Sequence, residues 1–110
     1  MAAYDASKFA VVAFTEVLYH ENLNNNIKVV CVCPPPVKTP LLQQARDTVW
    51  PKVFDQGDHI EAEDVLRCIN DTLESGELFA FPGKQTKMVW RMRRWLPGML
   101  WKNVHKSEGL

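Results

Sequence analysis

Apolar and polar positions alternate along the chain with two different periods. Over the first twenty residues, Val11, Thr15 and Leu18 fall at helical spacing with Tyr4 and Lys8, and no Gly or Pro interrupts. A helix is therefore expected from Ala2 to about Glu21. The run Asn22 to Asn26 (NLNNN) ends it, because Asn tolerates turn and left-handed backbone. Ile27 to Cys33 (IKVVCVC) is β-branched and almost continuously apolar. That pattern suits a strand covered on both faces, as in a parallel sheet.

Pro34, Pro35 and Pro36 stop this strand. A mainly helical stretch is expected from Leu41 to about Phe54, broken at Pro51, with a loop over Asp55 to His59. Glu61 to Ser75 reads as a second firm helix. Its acidic start complements the positive end of the helix dipole, and Gly76 stops it. Glu77 to Phe81 (ELFAF) reads as a short strand closed by Pro82-Gly83. A last helix is expected from Lys84 to about Leu96, with Met99 to Val104 adding a turn or two after Pro97-Gly98.

The order helix, strand, helices, strand, helix describes an α/β fold with one parallel βαβ unit. Two parallel strands alone leave wide apolar edges and faces. The pattern thus reads as part of a Rossmann-like, doubly wound parallel sheet, the second half of a larger domain.

The 110 residues fit one domain and exclude a two-domain enzyme; 46% are hydrophobic and 24% charged, an ordinary globular balance. No apolar run approaches the ~20 residues of a membrane span, and no signal peptide is visible at MAAYDASKF. Three cysteines without framework spacing point to a reducing compartment, hence a cytoplasmic location. Cys31 and Cys33 would share one face of a strand and could not be bridged without distortion. His20, His59, His105 and Cys68 are scattered singly, so no metal site is expected.

The formal charge is zero, but its distribution is uneven. Residues 1–83 carry six basic and twelve acidic side chains, and residues 84–107 carry seven basic side chains and no acid. An acidic body of residues 1–83 is followed by a basic tail of residues 84–110.

Tyr4 and Lys8 stand four apart, one turn along the same helix face. An ammonium beside a phenol favours the phenolate, the form a general base requires. On spacing alone, the commoner meaning of such a pair is packing with a snorkelling lysine. The surrounding residues change that balance. Tyr4, Ala6, Ser7 and Lys8, then a strand, then Pro34, Val37, Thr39 and Pro40, strongly resemble the short-chain dehydrogenase/reductase family, with its Tyr-x-x-x-Lys helix and following Pro-Gly-x-Val-x-Thr-Pro-like loop. The resemblance covers at least residues 1–83.

The resemblance implies an oxidoreductase using NAD or NADP on a small alcohol or carbonyl substrate. Tyr4 would be the acid/base. Lys8 would lower the Tyr4 pKa and hydrogen-bond the nicotinamide ribose. Val37 would meet the carboxamide through its backbone, the Thr39 hydroxyl would reach the carboxamide or phosphates, and Pro34 would shape the pocket. Pro35 departs from the family pattern, which has Gly there; Pro fixes φ and removes an N–H donor. The choice between NAD and NADP and the substrate itself are not legible in these residues, and homo-oligomerisation is left open.

The family's Gly-rich phosphate turn and upstream catalytic Ser have no counterpart in these residues. Met1 reads as readily as an internal methionine as a start. The expectation is a truncated dehydrogenase, inactive alone. The runner-up is a non-catalytic module that acts through its tail. There Met88, Met92, Trp95 and Met99 form an apolar stripe beside Lys84, Lys87, Arg91 and Arg94. Docking of that stripe on protein is favoured over contact with a membrane surface, and no motif points to nucleic acid.

Overall fold

The computed structural model describes residues 1–57 and 59–110, so Asp58, within the expected 55–59 loop, lies outside the described residues. Helix α1 spans Ala2–Glu21 and ends at Asn22, whose N–H returns to the Tyr19 carbonyl. The left-handed residue of the asparagine run is Asn26, at φ 54°, where the chain turns into β1. Strand β1 is only Cys31–Val32 and pairs in parallel with β2, Phe79–Ala80, in the register Cys31 to Phe79 and Val32 to Ala80. The amides of Cys31 and Cys33 donate to the carbonyls of Leu78 and Ala80 at 2.7 and 2.9 Å.

The expected parallel pairing is present, and both strands are shorter than their apolar runs. A ladder needs a partner for every amide. In this register Val29 and Val30 fall opposite Glu77 and Leu78, but the chain bends at Leu78, and residues 27–30 run without strand pairing. The observed sheet is therefore a two-strand parallel one within a mostly helical α/β chain.

The stretch expected to be helical from 41 to 54 divides instead. Helix α2 is Pro40–Arg46, and a separate 3-10 turn covers Lys52–Gln56 directly after Pro51. Proline cannot donate within a helix, so Pro40 and Pro51 each stand where a helical turn begins. Helix α3, Ala62–Ser75, matches its expectation closely. Glu61 and Asp64 cap each other's backbone reciprocally, and Gly76 ends the helix at φ 76°.

In the tail, α4 is Thr86–Trp95 and α5 is Pro97–Glu108. The second tail helix is much longer than the expected turn or two. Pro97 initiates it at a position where no N–H is needed, rather than ending helical structure.

Cys31 and Ala80 form the buried centre of the sheet. Helix α3 covers β2, and α1 lies against β1. Helix α1 presents half-buried Val12, Thr15, Glu16 and Tyr19 inward, and the Tyr19 hydroxyl donates to the Gly76 carbonyl at 3.1 Å. Its outer side leaves Phe14 and Val17 exposed. The accessible surface is 8292 Å² for 12.6 kDa, where a compact monomer of that mass exposes about 6,200 Å². The radius of gyration, 15.4 Å, likewise exceeds the roughly 13 Å of a compact domain of this length. The elements therefore bury one residue on each face of the sheet centre, Cys31 and Ala80, and leave the outer face of α1 bare.

Gly83 ties the proline loop to the tail. Its φ is +90°, and an added Cβ would meet the Pro35 Cγ and the Thr86 Oγ1 at 3.2 Å each. Gly83→Ala should lower stability by more than the ~1–2 kcal/mol of the left-handed backbone alone. Gly76→Ala, at similar φ with open space around it, should show that backbone cost without crowding. Urea midpoints of the two variants check this; equal shifts would mean Pro35 and Thr86 yield freely.

Candidate active site

Helix α1 begins at Met1 with no side-chain cap, so its first turn is held by backbone bonds and by the Ser7 hydroxyl, which donates to the Tyr4 carbonyl at 2.6 Å. Tyr4 is the third helical residue, and its ring is well exposed, at 58%. Lys8 follows one turn later, with Nζ 5.3 Å from the centre of the Tyr4 ring. The expected pairing of phenol and ammonium on one face is thus observed. A cation over an aromatic face is attracted by the ring quadrupole, so the same contact also serves the ordinary packing role of a snorkelling lysine.

The loop after β1 supplies the second group of expected residues. Val37 forms an isolated parallel bridge with Ile60. The bonds of that bridge run from the Ile60 N–H to the Pro36 carbonyl (3.2 Å) and from the Lys38 N–H to the Ile60 carbonyl (2.9 Å). In a parallel bridge of this kind the central residue's own N–H and C=O face the other way. Among the described residues the Val37 amide and carbonyl make no backbone hydrogen bond and face the opposite edge. The Lys38 ammonium pairs with Glu61 on the exposed side of the same loop.

Thr39 caps α2. Its Oγ1 accepts from the Leu42 N–H at 3.4 Å, and Pro40 follows at the first helical position. The acceptor capacity of the hydroxyl is partly committed to the helix, while its proton remains available. Pro34 is exposed at the start of the loop. Pro35 adopts no positive φ and packs on Gly83, so the loop accommodates proline at the place of departure. No hydrogen bond among the described residues links Tyr4 or Lys8 to Pro34, Val37 or Thr39.

Cys33 lies between the strand and this loop, half-buried beside Cys31. Burial, and secondarily the neighbouring Cys31 thiol, push the Cys33 pKa from 9.0 up to about 11. The three described cysteines are free thiols, and among the described residues no three His, Cys, Asp or Glu gather as metal ligands. A raised thiol pKa favours the neutral form, so its contribution to stability is complete below pH 9 and lost as pH rises through 11. Alkylation of Cys33 should therefore stay slow at neutral pH and accelerate through pH 11. Mass mapping of iodoacetamide adducts across pH tests this; a Cys33 rate that levels off near pH 9 would contradict the burial effect.

One cluster is not apparent from single residues. The Arg46 guanidinium stacks 5.3 Å from the Trp50 ring and meets His59 Nδ1 at 3.1 Å. Trp50 Nε1 donates to Asp55 Oδ1 at 2.8 Å, and His59 Nε2 lies 3.2 Å from the Phe54 carbonyl. Guanidinium only donates and a carbonyl only accepts, so in this arrangement His59 accepts at Nδ1 and donates at Nε2. The spacing of Arg46 and Trp50, four apart, was the available sequence signal. These contacts brace the 3-10 turn on the side of the chain that follows the Val37 loop.

Two open grooves lie elsewhere. One runs between the end of α1 and the sheet edge, lined by Glu16, Val17, His20, Glu21, Leu78 and Phe79. The other lies along α5 at Gly98, Met99, Trp101, Lys102 and His105. Neither includes Tyr4 or Lys8, which lie on an exposed face of α1.

The residues around the Tyr4–Lys8 face are similar to known proteins. The family model for short chain dehydrogenase matches residues 1–50, the span holding α1, β1 and the Val37 loop. Over these residues the chain is similar to short-chain dehydrogenases. It is similar to the short-chain dehydrogenase fogB of Aspergillus ruber (strain CBS 135680), with 46% identity over 46 residues, 42% of this chain and 17% of that protein. It is also similar to the short-chain dehydrogenase virB of Hypocrea virens (strain Gv29-8 / FGSC 10586), with 43% identity over 47 residues, 43% of this chain and 19% of that protein. The short-chain dehydrogenase match thus spans less than a fifth of either curated relative. No solved structure matches the chain.

Proposed function

We propose that this chain carries the proton-transfer and nicotinamide-side portion of an NAD(P)-dependent short-chain oxidoreductase acting on a small alcohol or carbonyl compound. The observation that carries the reading is the Tyr4–Lys8 pair on one exposed helix face, within the residues that match the family. In this reading Tyr4 exchanges a proton with the substrate oxygen. Lys8 holds positive charge beside the phenol and hydrogen-bonds the nicotinamide ribose. The Val37 amide and carbonyl suit a carboxamide, which offers one donor group and one acceptor. The Thr39 hydroxyl proton and Pro34 complete that edge. The dinucleotide, when bound, supplies the hydride, and these residues supply orientation and proton control.

The two-strand sheet fits a doubly wound parallel sheet, because such a sheet requires further strands beside β1 and cover over α1. The reading assigns phosphate binding, and the polarising serine, to residues other than these 110. Turnover would then require more sequence than this chain holds.

Titration with nicotinamide mononucleotide, followed by amide NMR of the 110-residue chain, tests the nicotinamide edge without requiring turnover. Saturable shifts centred on Val37 and Thr39, weakened by Lys8→Met, are expected. Shifts confined to other parts of the chain would refute the assignment of that edge.

A further inference from the structure

The tail docks through a different face from the one its sequence advertises. In α4, Trp90 is half-buried and packs on Phe79 and Phe81 of the sheet end, with ring centres 5.4 and 5.3 Å away. Arg93, on the same side, lies over Phe9 of α1 at 5.5 Å and Trp101 of α5 at 5.9 Å. At about 100° per residue, Met88 and Trp95 fall within about 20° of each other and on the side of the helix away from Trp90. Within this chain the Met88–Met92–Trp95–Met99 stripe is therefore mostly uncovered. Met92 is half-buried, but Met88, Trp95 and Met99 are 54%, 76% and 54% exposed, and Leu96 at the elbow is 52% exposed.

Helix α5 continues the same arrangement. It turns Leu100, Val104 and Glu108 inward, and the Glu108 carboxylate accepts from the Val53 N–H at 2.9 Å. Met99 and Lys102 stay outside. The α4–α5 elbow thus carries a bare apolar tip of Trp95, Leu96 and Met99. Exposed Lys87, Arg91 and Lys102 flank it, in a segment with no acidic side chain from 84 to 107.

We infer that this elbow is a membrane-surface contact for anionic lipid, with the apolar tip entering the headgroup boundary and the flanking cations meeting lipid phosphates and carboxylates. The inference stands apart from the oxidoreductase reading. Charge complementarity selects the occupant. Seven cations without an acid attract an anionic surface, while the net −6 of residues 1–83 repels it. That asymmetry orients the molecule tail-first. Trp and Met beside Lys and Arg suit the interface, where an indole keeps its ring in the apolar boundary and its N–H in water. The contact is superficial, since no described helix is long and apolar enough to cross a membrane.

The test is co-sedimentation of the full chain with phosphatidylcholine vesicles carrying roughly a third phosphatidylserine, a composition with a strong negative surface potential. Wild type should partition at least about tenfold better than into pure phosphatidylcholine, and lose that advantage in high salt. Lys87→Glu/Arg91→Glu should abolish the preference. Trp95→Phe should retain binding but lose much of the quenching by bromine-labelled lipid, because it removes the indole placed deepest. Phe14→Ser, on the bare face of α1, should leave partitioning unchanged.

Equal affinity for both vesicle types overturns the proposal. So does quenching untouched by Trp95→Phe, or partitioning lost in Phe14→Ser. Salt-sensitive binding to RNA without vesicle binding would make the patch a nucleic-acid site instead. A dimer that Trp95→Ser dissociates, again without vesicle binding, would make it a contact between copies.

Discussion

Tyr4→Phe is expected to lower turnover by about 10²–10⁴-fold, the usual contribution of a positioned acid/base. The measurement calls for residues 1–50 to replace the matching segment of a short-chain dehydrogenase such as the Aspergillus ruber relative, so that a full cofactor site surrounds them. Phe keeps the ring over which Lys8 lies at 5.3 Å and removes only the hydroxyl. The Tyr4 ring is exposed, so loss of the oxygen creates no cavity and should not unfold the graft. Lys8→Met is expected to reduce both turnover and cofactor affinity, since the lysine is proposed to serve phenol and ribose together. A Tyr4→Phe graft as active as its parent would remove Tyr4 from the chemistry. An inactive parent graft would show that residues 1–50 do not carry the relative's function.

The elements that were legible in the sequence are those set by local chemistry. Helix α3 could be read from its acidic first turn and from Gly76, and both devices operate in the structure as a reciprocal cap and a left-handed stop. Parallel pairing of the two strands followed from β-branched, two-sided hydrophobicity. Their lengths did not follow, because a ladder ends where either chain bends away, here at Leu78, and residues 27–30 run without strand pairing. Around Pro51 the same limit applies. Composition favoured helix, but whether α2 resumes after a proline depends on tertiary contacts such as those of Trp50 with Arg46, Asp55 and Phe54.

The candidate site divides along the same line. Tyr4 and Lys8 were readable because helical spacing alone brings them together. The direction of the Val37 amide was not, because it arises from the bridge to Ile60, twenty-three positions away. The Arg46–Trp50–His59 cluster was missed for a similar reason: its histidine comes from beyond the 3-10 turn. In the tail, the amphipathic pattern correctly announced helices, yet the docked residue is Trp90. The apolar stripe with the clearest period is the one left outside. Periodicity tells which residues share a face and is silent about which of two hydrophobic faces finds a partner.

Trp90 therefore decides whether body and tail behave as one unit. Its indole is the main aromatic anchor of α4 on the sheet end, beside the stacked pair Phe79–Phe81. Full burial would make Trp→Ala cost about 3–5 kcal/mol; for a half-buried ring about 2 kcal/mol is the appropriate scale. For a chain with so small a buried centre, that is a large share of the total stability. Trp90→Ala is expected to release α4, and amide exchange along Thr86–Trp95 should accelerate while the α3 amides stay protected. The Arg93 contacts with Phe9 and Trp101 cannot compensate, since exposed cation–π pairs contribute only about 0.5–1 kcal/mol each. Hydrogen exchange read by mass spectrometry discriminates the outcomes. If α3 and α4 lose protection together, the tail is integral to the fold of the body. If neither changes, the Trp90 packing contributes nothing measurable, and α4 is held by its junction with α5 instead.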